Sequence, residues 1–380
     1  MQHTHERLAP SLTADSVPQV TELLNHPGPY ASAYIGLEPE TVDAAARSDL
    51  RWDALRTELG RAEAAPSALQ PIDALVPDAH MHGRALGVIV AADGHALVHH
   101  EPSHLDRDCA SYERLPMLGP LLAWYQSRVP HIVVRIDRAG ADVSLLDPAH
   151  REPQHETIEV FDSNDPVLRR GNPGGWSQPR YQRRAINSWE ASAKEVAEHV
   201  TSLARVSAPR TIVLAGDGRA AAEFRDALPD DLRALLVDAP GTRHGGNTEA
   251  LEEAIDTAVA TAVARDTAHV LAKFREEVGQ HDLAVNGATP TLHALAAAQV
   301  DVLLVHLDPD DPRRAWFGTK PHLVGRSLDE LYGMGVERPY DAPLTDVAIW
   351  AALGTGASVR IVPKADLLEE GIGALLRFTH

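Results

Sequence analysis

The sequence contains little cysteine, few aromatic residues and no long apolar run. A single cysteine, Cys109, excludes an internal disulfide and is typical of a reducing compartment. Aromatic residues make up 5% of the 380 residues, which is too few for a broad base-stacking platform. No apolar stretch approaches the roughly 20 residues of a membrane span, and the first residues lack the charged-then-apolar order of a signal peptide. We therefore expect a cytoplasmic protein that has no membrane partner.

Positive charge is also scarce, because 35 lysines and arginines face 54 acids and leave a formal net charge of −19. The average surface therefore repels nucleic acids and anionic membranes. A polyanionic partner would have to meet a local cationic patch within the Debye length, about 8 Å at physiological salt. No DNA partner is expected, and any contact with RNA has to be made by such a patch.

One stretch, residues 169–184 (RRGNPGGWSQPRYQRR), has the composition of a cationic patch. It holds no acid and five arginines, which are Arg169, Arg170, Arg180, Arg183 and Arg184. Arginine binds phosphate bidentately and stacks on bases, and Trp176 beside two glycines can stack on a base or a sugar. The stretch therefore predicts an RNA-binding loop. The alternative is a solvated loop whose arginines pair with acids of neighbouring domains, in which case the protein is an interaction scaffold.

The order of apolar segments predicts an α/β protein of more than one domain. The predicted domains are residues 1–130, 131–270 and 271–380. The stretch from Thr248 to Gln280 is rich in Ala, Glu and Arg and lacks proline. It predicts a long helix that connects the central and C-terminal domains.

Local patterns predict several strands. Residues 85–100 and 131–147 each have the pattern of a β-hairpin, with turns at Asp93-Gly94 and Ala139-Gly140. Strand–helix–strand order over residues 211–238 indicates parallel strands.

The turn Gly216-x-Gly218-x-x-Ala221 lies between a predicted strand and a predicted helix, and Asp238 ends the next strand. This is the spacing of a dinucleotide-binding fingerprint, in which glycines approach the pyrophosphate and the acid binds the ribose. A tight strand-to-helix turn explains the same residues, and no hydride-transfer constellation accompanies them. The 20 histidines lack metal-ligand spacing. We expect no metal and no cofactor, and a nucleotide-binding enzyme that uses residues 216–221 stays as an alternative.

The segment GGWSQPRYQRRAINSWEASAKEVAEHV resembles the central domain of archaeo-eukaryotic release factors. That family has Gly-Gly-Gln, Ser and an Arg-aromatic-x-Arg run that leads into a helix ending in Val-Ala-Glu. The matching positions are Gly174, Gly175, Ser177, Arg180, Tyr181, Arg183, Val196, Ala197 and Glu198. TIVLAGDG, ALAAAQVDVLLVH and GIGALLRF follow in the family's order, so the resemblance covers roughly residues 131–380. PGPYASAYIG in the N-terminal region resembles instead the bacterial branch of the superfamily, which includes the ribosome hibernation factor Balon and mycobacterial relatives.

The resemblance implies a three-domain, release-factor/Pelota-like architecture and a function in translation. It implies a tRNA mimic that enters the ribosomal A site and places its central loop near the peptidyl-transferase centre, against 23S rRNA. It also implies delivery by elongation factor Tu and a role in hibernation or rescue of the ribosome under stress.

The sequence departs from the family at the glutamine that follows the two glycines, where it has Trp176. An indole has one N–H donor and no acceptor, so it cannot orient water as the glutamine does. Gln178 lies two residues further on, but Pro179 restricts the backbone beside it. We therefore predict a non-catalytic factor with no catalytic residue, with a peptidyl-tRNA hydrolase that uses Gln178 as an alternative. The predicted RNA-binding residues are Arg169, Arg170, Gly171, Gly174, Gly175, Trp176, Ser177, Gln178, Arg180, Tyr181, Arg183 and Arg184.

Overall fold

The computed structural model describes residues 11–39, 41–137, 140–147, 154–159, 178–243, 248–280, 282–363 and 366–378, and for 159 and 178–192 it describes the backbone alone. Residues 127–265 form one compact unit, called here the central unit. The segments before and after it together form a second, the terminal unit. Among the described residues, no helix combines the length and the apolar character that crossing a bilayer requires.

The N-terminal segment of the terminal unit is an antiparallel sheet with helices packed on it. Its helices are α1 (Pro18–Leu23), α2 (Ala44–Arg61), α3 (Pro66–Ala79) and α4 (Gly119–Ser127). Its strands are β1 (Tyr30–Gly36), β2 (Ala85–Val90), β3 (Ala96–Glu101) and β4 (Cys109–Glu113), in the order β3-β2-β1-β4. The hairpin predicted over residues 85–100 is confirmed, and Gly94 adopts a φ of 89° in its turn.

The central unit is a five-stranded sheet with helices on both faces. Its strands are β5 (His131–Ile136), β6 (Gly140–Leu146), β7 (Gln154–Glu159), β8 (Thr211–Gly216) and β9 (Leu236–Asp238), in the order β7-β6-β5-β8-β9. Its helices are α5 (Gln178–Ser207), α6 (Gly218–Ala227), α7 (Asp230–Arg233) and α8 (Thr248–Gln280), of which α8 continues into the terminal unit. Strands β5, β8 and β9 are parallel and β5–β6 is a hairpin, as predicted. The long helix is confirmed with its predicted bounds.

Helix α5 corrects one prediction, because it begins at Gln178 and the predicted loop over residues 169–184 therefore ends earlier. Pro179 is compatible with this start, since the N–H groups of a first helical turn have no partner within the helix. Val196 and Val200 are fully buried against the sheet, as their helical spacing predicts.

The C-terminal segment of the terminal unit contains two further sheets. Its helices are α9 (Ala288–Ala296), α10 (Leu328–Gly333) and α11 (Leu344–Gly354). Strands β10 (Ala284–Asn286), β11 (Val300–Val305), β15 (Ser358–Ile361) and β16 (Ile372–Leu376) form a mixed sheet in the order β10-β16-β11-β15. Strands β12 (Arg314–Phe317), β13 (Val324–Gly325) and β14 (Tyr340–Pro343) form a smaller one in the order β13-β12-β14. The α/β class predicted from the sequence is confirmed.

The two segments of the terminal unit share one hydrophobic core. Tyr34 and Leu121 of the N-terminal segment belong to the same buried cluster as Leu292, Leu303 and Val347 of the C-terminal segment. All five side chains are almost fully removed from solvent. The predicted division into three domains at residues 130 and 270 stays a prediction, since a shared core does not by itself decide which segments fold independently.

Charged groups also join the two segments. The Arg314 guanidinium donates to both carboxylate oxygens of Glu113, over 2.9 and 3.0 Å, and it also binds Asp341. Asp346, in the first turn of α11, is 5% exposed. Burial raises the pKa of this carboxyl well above its ordinary value, and the nearby Glu113 charge raises it further, while Arg314 opposes the shift.

We predict that the pKa of Asp346 makes the chain less stable as pH rises. The folded carboxyl holds its proton more tightly than the unfolded one, so its contribution is complete at acid pH and is lost as pH rises above about 4, through the folded pKa. Asp346→Asn should remove this loss of stability. The difference in urea midpoint, variant minus wild type, should therefore increase as pH rises. The same substitution at the exposed Asp310 is the control. Arg107 binds this carboxylate and lowers its pKa, so the difference in urea midpoint should change with pH in the opposite direction. Identical pH profiles for wild type and Asp346→Asn would contradict the assignment.

Candidate RNA-binding end of the central unit

The parallel strands of the central unit end at one edge of the sheet. Strands β5 and β8 end there at Ile136 and Gly216, which are partners in register. Strand β7 ends at the same edge at Glu159, because it is antiparallel to β6 and β6 is antiparallel to β5. We call this edge the carboxyl edge. In open α/β sheets, ligands bind at the carboxyl ends of the parallel strands.

Helix α5 begins beyond the carboxyl edge. It runs back from there to Ser207, close before β8 begins at Thr211. Its 30 residues span about 45 Å, whereas a six-residue strand spans about 20 Å. Because the helix is about twice as long as the strands, its N-terminal half continues past the sheet. Both described ends of the chain that flank residues 160–177 therefore lie toward the carboxyl edge.

The predicted RNA-binding residues fall into two groups. The first group, outside the described residues, consists of Arg169, Arg170, Gly171, Gly174, Gly175, Trp176 and Ser177. The second group, whose backbone lies in the first turns of α5, consists of Gln178, Arg180, Tyr181, Arg183 and Arg184. Arg180, Arg183 and Arg184 are at positions i, i+3 and i+4, so their Cα atoms lie on one side of the helix. Their role in binding RNA stays a prediction.

A buried arginine, which the sequence analysis missed, lies at the carboxyl edge. The side chain of Arg243 is 3% exposed and lies 3.5 Å from Asp137 and 3.3 Å from Asp142. Thr157 on β7 donates to the same oxygen of Asp142 over 3.2 Å. The cluster connects the end of β5, strands β6 and β7, and the segment that precedes α8. Because two carboxylates satisfy this guanidinium, it serves the fold and is not a free phosphate ligand. Its partners lie about a hundred residues away in the chain, so no local pattern reveals it.

The glycine at the start of the turn over residues 216–221 allows the ends of β8 and β5 to pack closely. Gly216 has a φ of 149°, and a Cβ atom there would lie 1.9 Å from the carbonyl oxygen of Ile136. The Asp217 carboxylate caps α6 by accepting from the backbone N–H of Arg219 and of Ala220, over 3.0 and 3.4 Å. In a dinucleotide site these donors would face the pyrophosphate. Their occupation by a carboxylate disfavours a phosphate ligand at this turn.

Asp238, the acid that the dinucleotide-binding fingerprint requires, also has another partner. Asp238 binds the Arg225 guanidinium, which lies on α6. A ribose hydroxyl would have to compete with this ion pair. Within the described ranges, no group of three or more His, Cys, Asp or Glu side chains has an arrangement that could hold a metal ion. His244, which precedes α8, lies outside these ranges.

The comparisons with known proteins concern this same region. Residues 130–280 match the family model described as "Bacterial archaeo-eukaryotic release factor family 2". The match covers the whole predicted cationic stretch together with the five-stranded sheet and α5. The central unit is therefore similar to release factor-like proteins. Residues 130–280, less than half of the chain, are thus similar to the bacterial archaeo-eukaryotic release factors, in agreement with the resemblance seen in the sequence.

A relative from Mycobacterium tuberculosis extends the similarity along most of the chain. The uncharacterised protein Rv2629 of Mycobacterium tuberculosis strain H37Rv is 25% identical over 367 residues, which cover 92% of this chain and 94% of the relative. The alignment therefore includes most of the N-terminal region, which the family model does not match.

Solved structures of the superfamily align with the chain at low similarity. Archaeoglobus fulgidus Pelota is 14% identical, with 100% of this chain and 99% of that chain covered and a TM-score of 0.39. Dom34 of Saccharomyces cerevisiae, a translation termination-like factor, is 12% identical, with 78% and 80% covered and a TM-score of 0.38. TM-scores this low carry no conclusion about the arrangement of the chain or about its partners.

We predict that Gly216 is required for stability and not for binding a nucleotide. Gly216→Ala places a methyl group against the Ile136 carbonyl in a backbone region that L-residues avoid, and should cost about 2–4 kcal/mol of unfolding free energy. Gly218→Ala is the matched control, because nothing lies within 4 Å of its Cβ position and α6 begins there. It should change stability by at most about 1 kcal/mol. Urea denaturation measures both. Equal effects of the two substitutions, or tight binding of NAD or ATP that Gly218→Ala abolishes, would contradict the packing role.

Proposed function

We propose that the protein is a non-catalytic, tRNA-mimicking factor that binds the ribosome, of the hibernation or rescue type. The observation that carries the proposal is the cationic stretch 169–184 within the region that matches the release factor family. The stretch follows β7 in the chain and includes the first turns of α5, and β7 ends and α5 begins toward the carboxyl edge of the sheet. A long helix that continues past the sheet suits a protein that has to reach into a deep RNA site.

Electrostatics favours RNA as the partner of this stretch. The chain has a net charge of −19, and five arginines without an acid are concentrated in sixteen residues. Two described arginines of the central unit, Arg225 and Arg243, are instead bound by carboxylates. The cationic stretch is therefore the segment whose composition best suits phosphate contact. Confining that contact to one stretch limits binding to RNA elsewhere on the surface.

The partners proposed for this factor follow from the family. We place the stretch near the peptidyl-transferase centre in the A site, where Arg169, Arg170, Arg180, Arg183 and Arg184 contact 23S rRNA phosphates. Trp176 stacks on a base or blocks a pocket. Delivery by elongation factor Tu, a cytoplasmic location, action under stress and a particular likeness to Balon belong to the same proposal.

Three other functions are less well supported. A peptidyl-tRNA hydrolase would have to use Gln178, which the structure places in helix α5. A nucleotide-binding enzyme would have to use a turn whose helix N-terminus is capped by Asp217 and whose acid binds Arg225. An interaction scaffold is the third alternative, and it predicts no affinity for RNA at low salt.

We predict that the arginines of α5 supply salt-dependent binding to the ribosome. Replacing Arg180, Arg183 and Arg184 by alanine should weaken co-sedimentation with 70S particles. The slope of log K against log salt should fall by about 0.7–0.9 for each phosphate that the variant no longer neutralises. Binding measured between low and physiological salt gives this slope.

The control for this experiment makes the same change in charge at other positions. Arg61, Arg205 and Arg275 are exposed, and their replacement by alanine removes three positive charges outside the cationic stretch. This variant should keep the wild-type slope. If both triple variants bind alike, or if replacing all five arginines of the stretch changes nothing at any salt concentration, the proposal is wrong.

We predict that the wild-type protein does not release peptide from peptidyl-tRNA on the ribosome. Trp176 has no acceptor with which to orient water, so only background hydrolysis is expected. A release assay with labelled peptidyl-tRNA measures the rate, with Gln178→Ala as the variant that identifies a hydrolase. Wild-type release well above background that Gln178→Ala abolishes would establish the enzymatic alternative. Trp176→Gln tests whether the remainder of a release site is retained.

A further inference from the structure

A groove of about 390 Å³ lies in the central unit between strand β9 and the N-terminal half of α8. Val237 and Pro240 line it on the side of the strand, and Ala250, Ala254 and Thr257 line it on the side of the helix. Its volume is at the low end of the roughly 300–1,000 Å³ of ligand sites. It therefore has room for a few side chains and not for a packed domain.

Strand β9 is an edge strand with outward-facing backbone groups. In the described residues it pairs with β8 alone. The bonds to β8 use alternate residues, because Ile212 N–H donates to the Leu235 carbonyl over 2.9 Å and Ala239 N–H donates to the Leu214 carbonyl over 2.8 Å. The N–H and C=O groups of Leu236 and Asp238 consequently point away from β8. A row of such groups is a template for one more strand.

The side chain of Val237 leaves apolar surface beside this edge. Its partner in register, Val213, is fully buried in a cluster with Leu251 and Ala258 of α8. Val237 lies on the same face of the sheet but is 38% exposed. The layer between the sheet and α8 is therefore incomplete at its outer side, where the groove lies. An apolar side chain from a partner would complete it.

Charge indicates which partner fits. Glu253 lines the groove and is exposed, and no cation of the described chain forms an ion pair with it. Asp238, the other acid of the lining, is bound by Arg225. A second copy of the chain would bring another net charge of −19 to this surface. Repulsion disfavours that copy, whereas a basic segment gains from the same field.

We propose that this groove binds an extended segment of a basic protein by adding it as a strand beside β9. The backbone groups of Leu236 and Asp238 pair with the segment, as in other peptide sites formed by strand addition. An apolar side chain of the segment packs against Val237 and Ala254, and a lysine or arginine pairs with Glu253. The site is distinct from the cationic stretch 169–184 and takes a partner of the opposite charge, so it is independent of binding to RNA.

The test uses the full-length protein and a fluorescein-labelled, acetylated hexapeptide of alternating valine and lysine. Fluorescence anisotropy at low salt should show saturable binding. The same peptide with glutamate in place of lysine should not bind. A version with alternate backbone amides methylated should lose about tenfold in affinity, because it cannot donate to the edge of β9. Ribosomes are absent from the assay, so its outcome does not depend on the proposed function.

Matched variants locate the site. Glu253→Lys should weaken binding about fivefold, whereas Glu252→Lys, the same change at the neighbouring exposed position, should stay within about twofold of the wild type. Ala254→Trp fills the groove and should reduce affinity about tenfold, whereas Ala260→Trp, at an exposed position of the same helix, should not. Thermal unfolding shows whether each variant is folded. If Ala254→Trp does not fold, the comparison of Glu253→Lys with Glu252→Lys tests whether the peptide binds in the groove.

Three outcomes would overturn the proposal. Equal affinities of the Glu253→Lys and Glu252→Lys variants for the peptide would show that it binds the acidic surface non-specifically and not in the groove. Undiminished binding of the methylated peptide would exclude strand addition. Concentration-dependent dimerisation in sedimentation, abolished by Ala254→Trp and not by Ala260→Trp, would show that a second copy occupies the groove.

Discussion

The contact between Gly216 and the Ile136 carbonyl governs the arrangement of the central unit. Without a side chain at Gly216, the ends of β5 and β8 approach closely, and α6 can begin directly at the edge of the sheet. The same edge collects Asp137 and the end of β7, and it lies below the N-terminal half of α5. The close approach of two backbones thus defines the end of the sheet toward which the described residues that flank 160–177 lie.

Some arginines of the central unit are neutralised by carboxylates and serve the fold, whereas those of the stretch 169–184 are proposed to bind RNA. Arg243 is buried between two carboxylates, and Arg225 lies on a carboxylate at the end of β9. Removing either carboxylate would leave the buried Arg243 with an uncompensated charge, so this group serves the fold. The stretch 169–184 has no acid of its own. Phosphate therefore competes there with water rather than with a local carboxylate, which is the physical basis of the proposed contact with RNA.

The core of the terminal unit and the groove beside β9 are formed by residues that are distant in the chain and come together only on folding. Residues more than two hundred positions apart, such as Tyr34 and Leu303, share a core, and Arg314 reaches Glu113 across a similar separation in sequence. At β9, the sheet stops one strand short of covering Val237. An acidic side chain at such an edge suits a basic segment, so the two proposed sites take partners of opposite charge.

The sequence by itself determined the α/β class, both hairpins, the bounds of α8 and the family of the central region, because helix periodicity, turn residues and motifs are local. It assigned the start of α5 to a loop, because glycine and proline in residues 169–184 are typical of loops, although the first turn of a helix accepts a proline such as Pro179. Only the tertiary structure decided the partners of Arg243, the packing role of Gly216, the shared core and the groove at β9. Each of these depends on groups that are distant in the chain and meet only when strands take their order in a sheet, an order that local patterns do not encode.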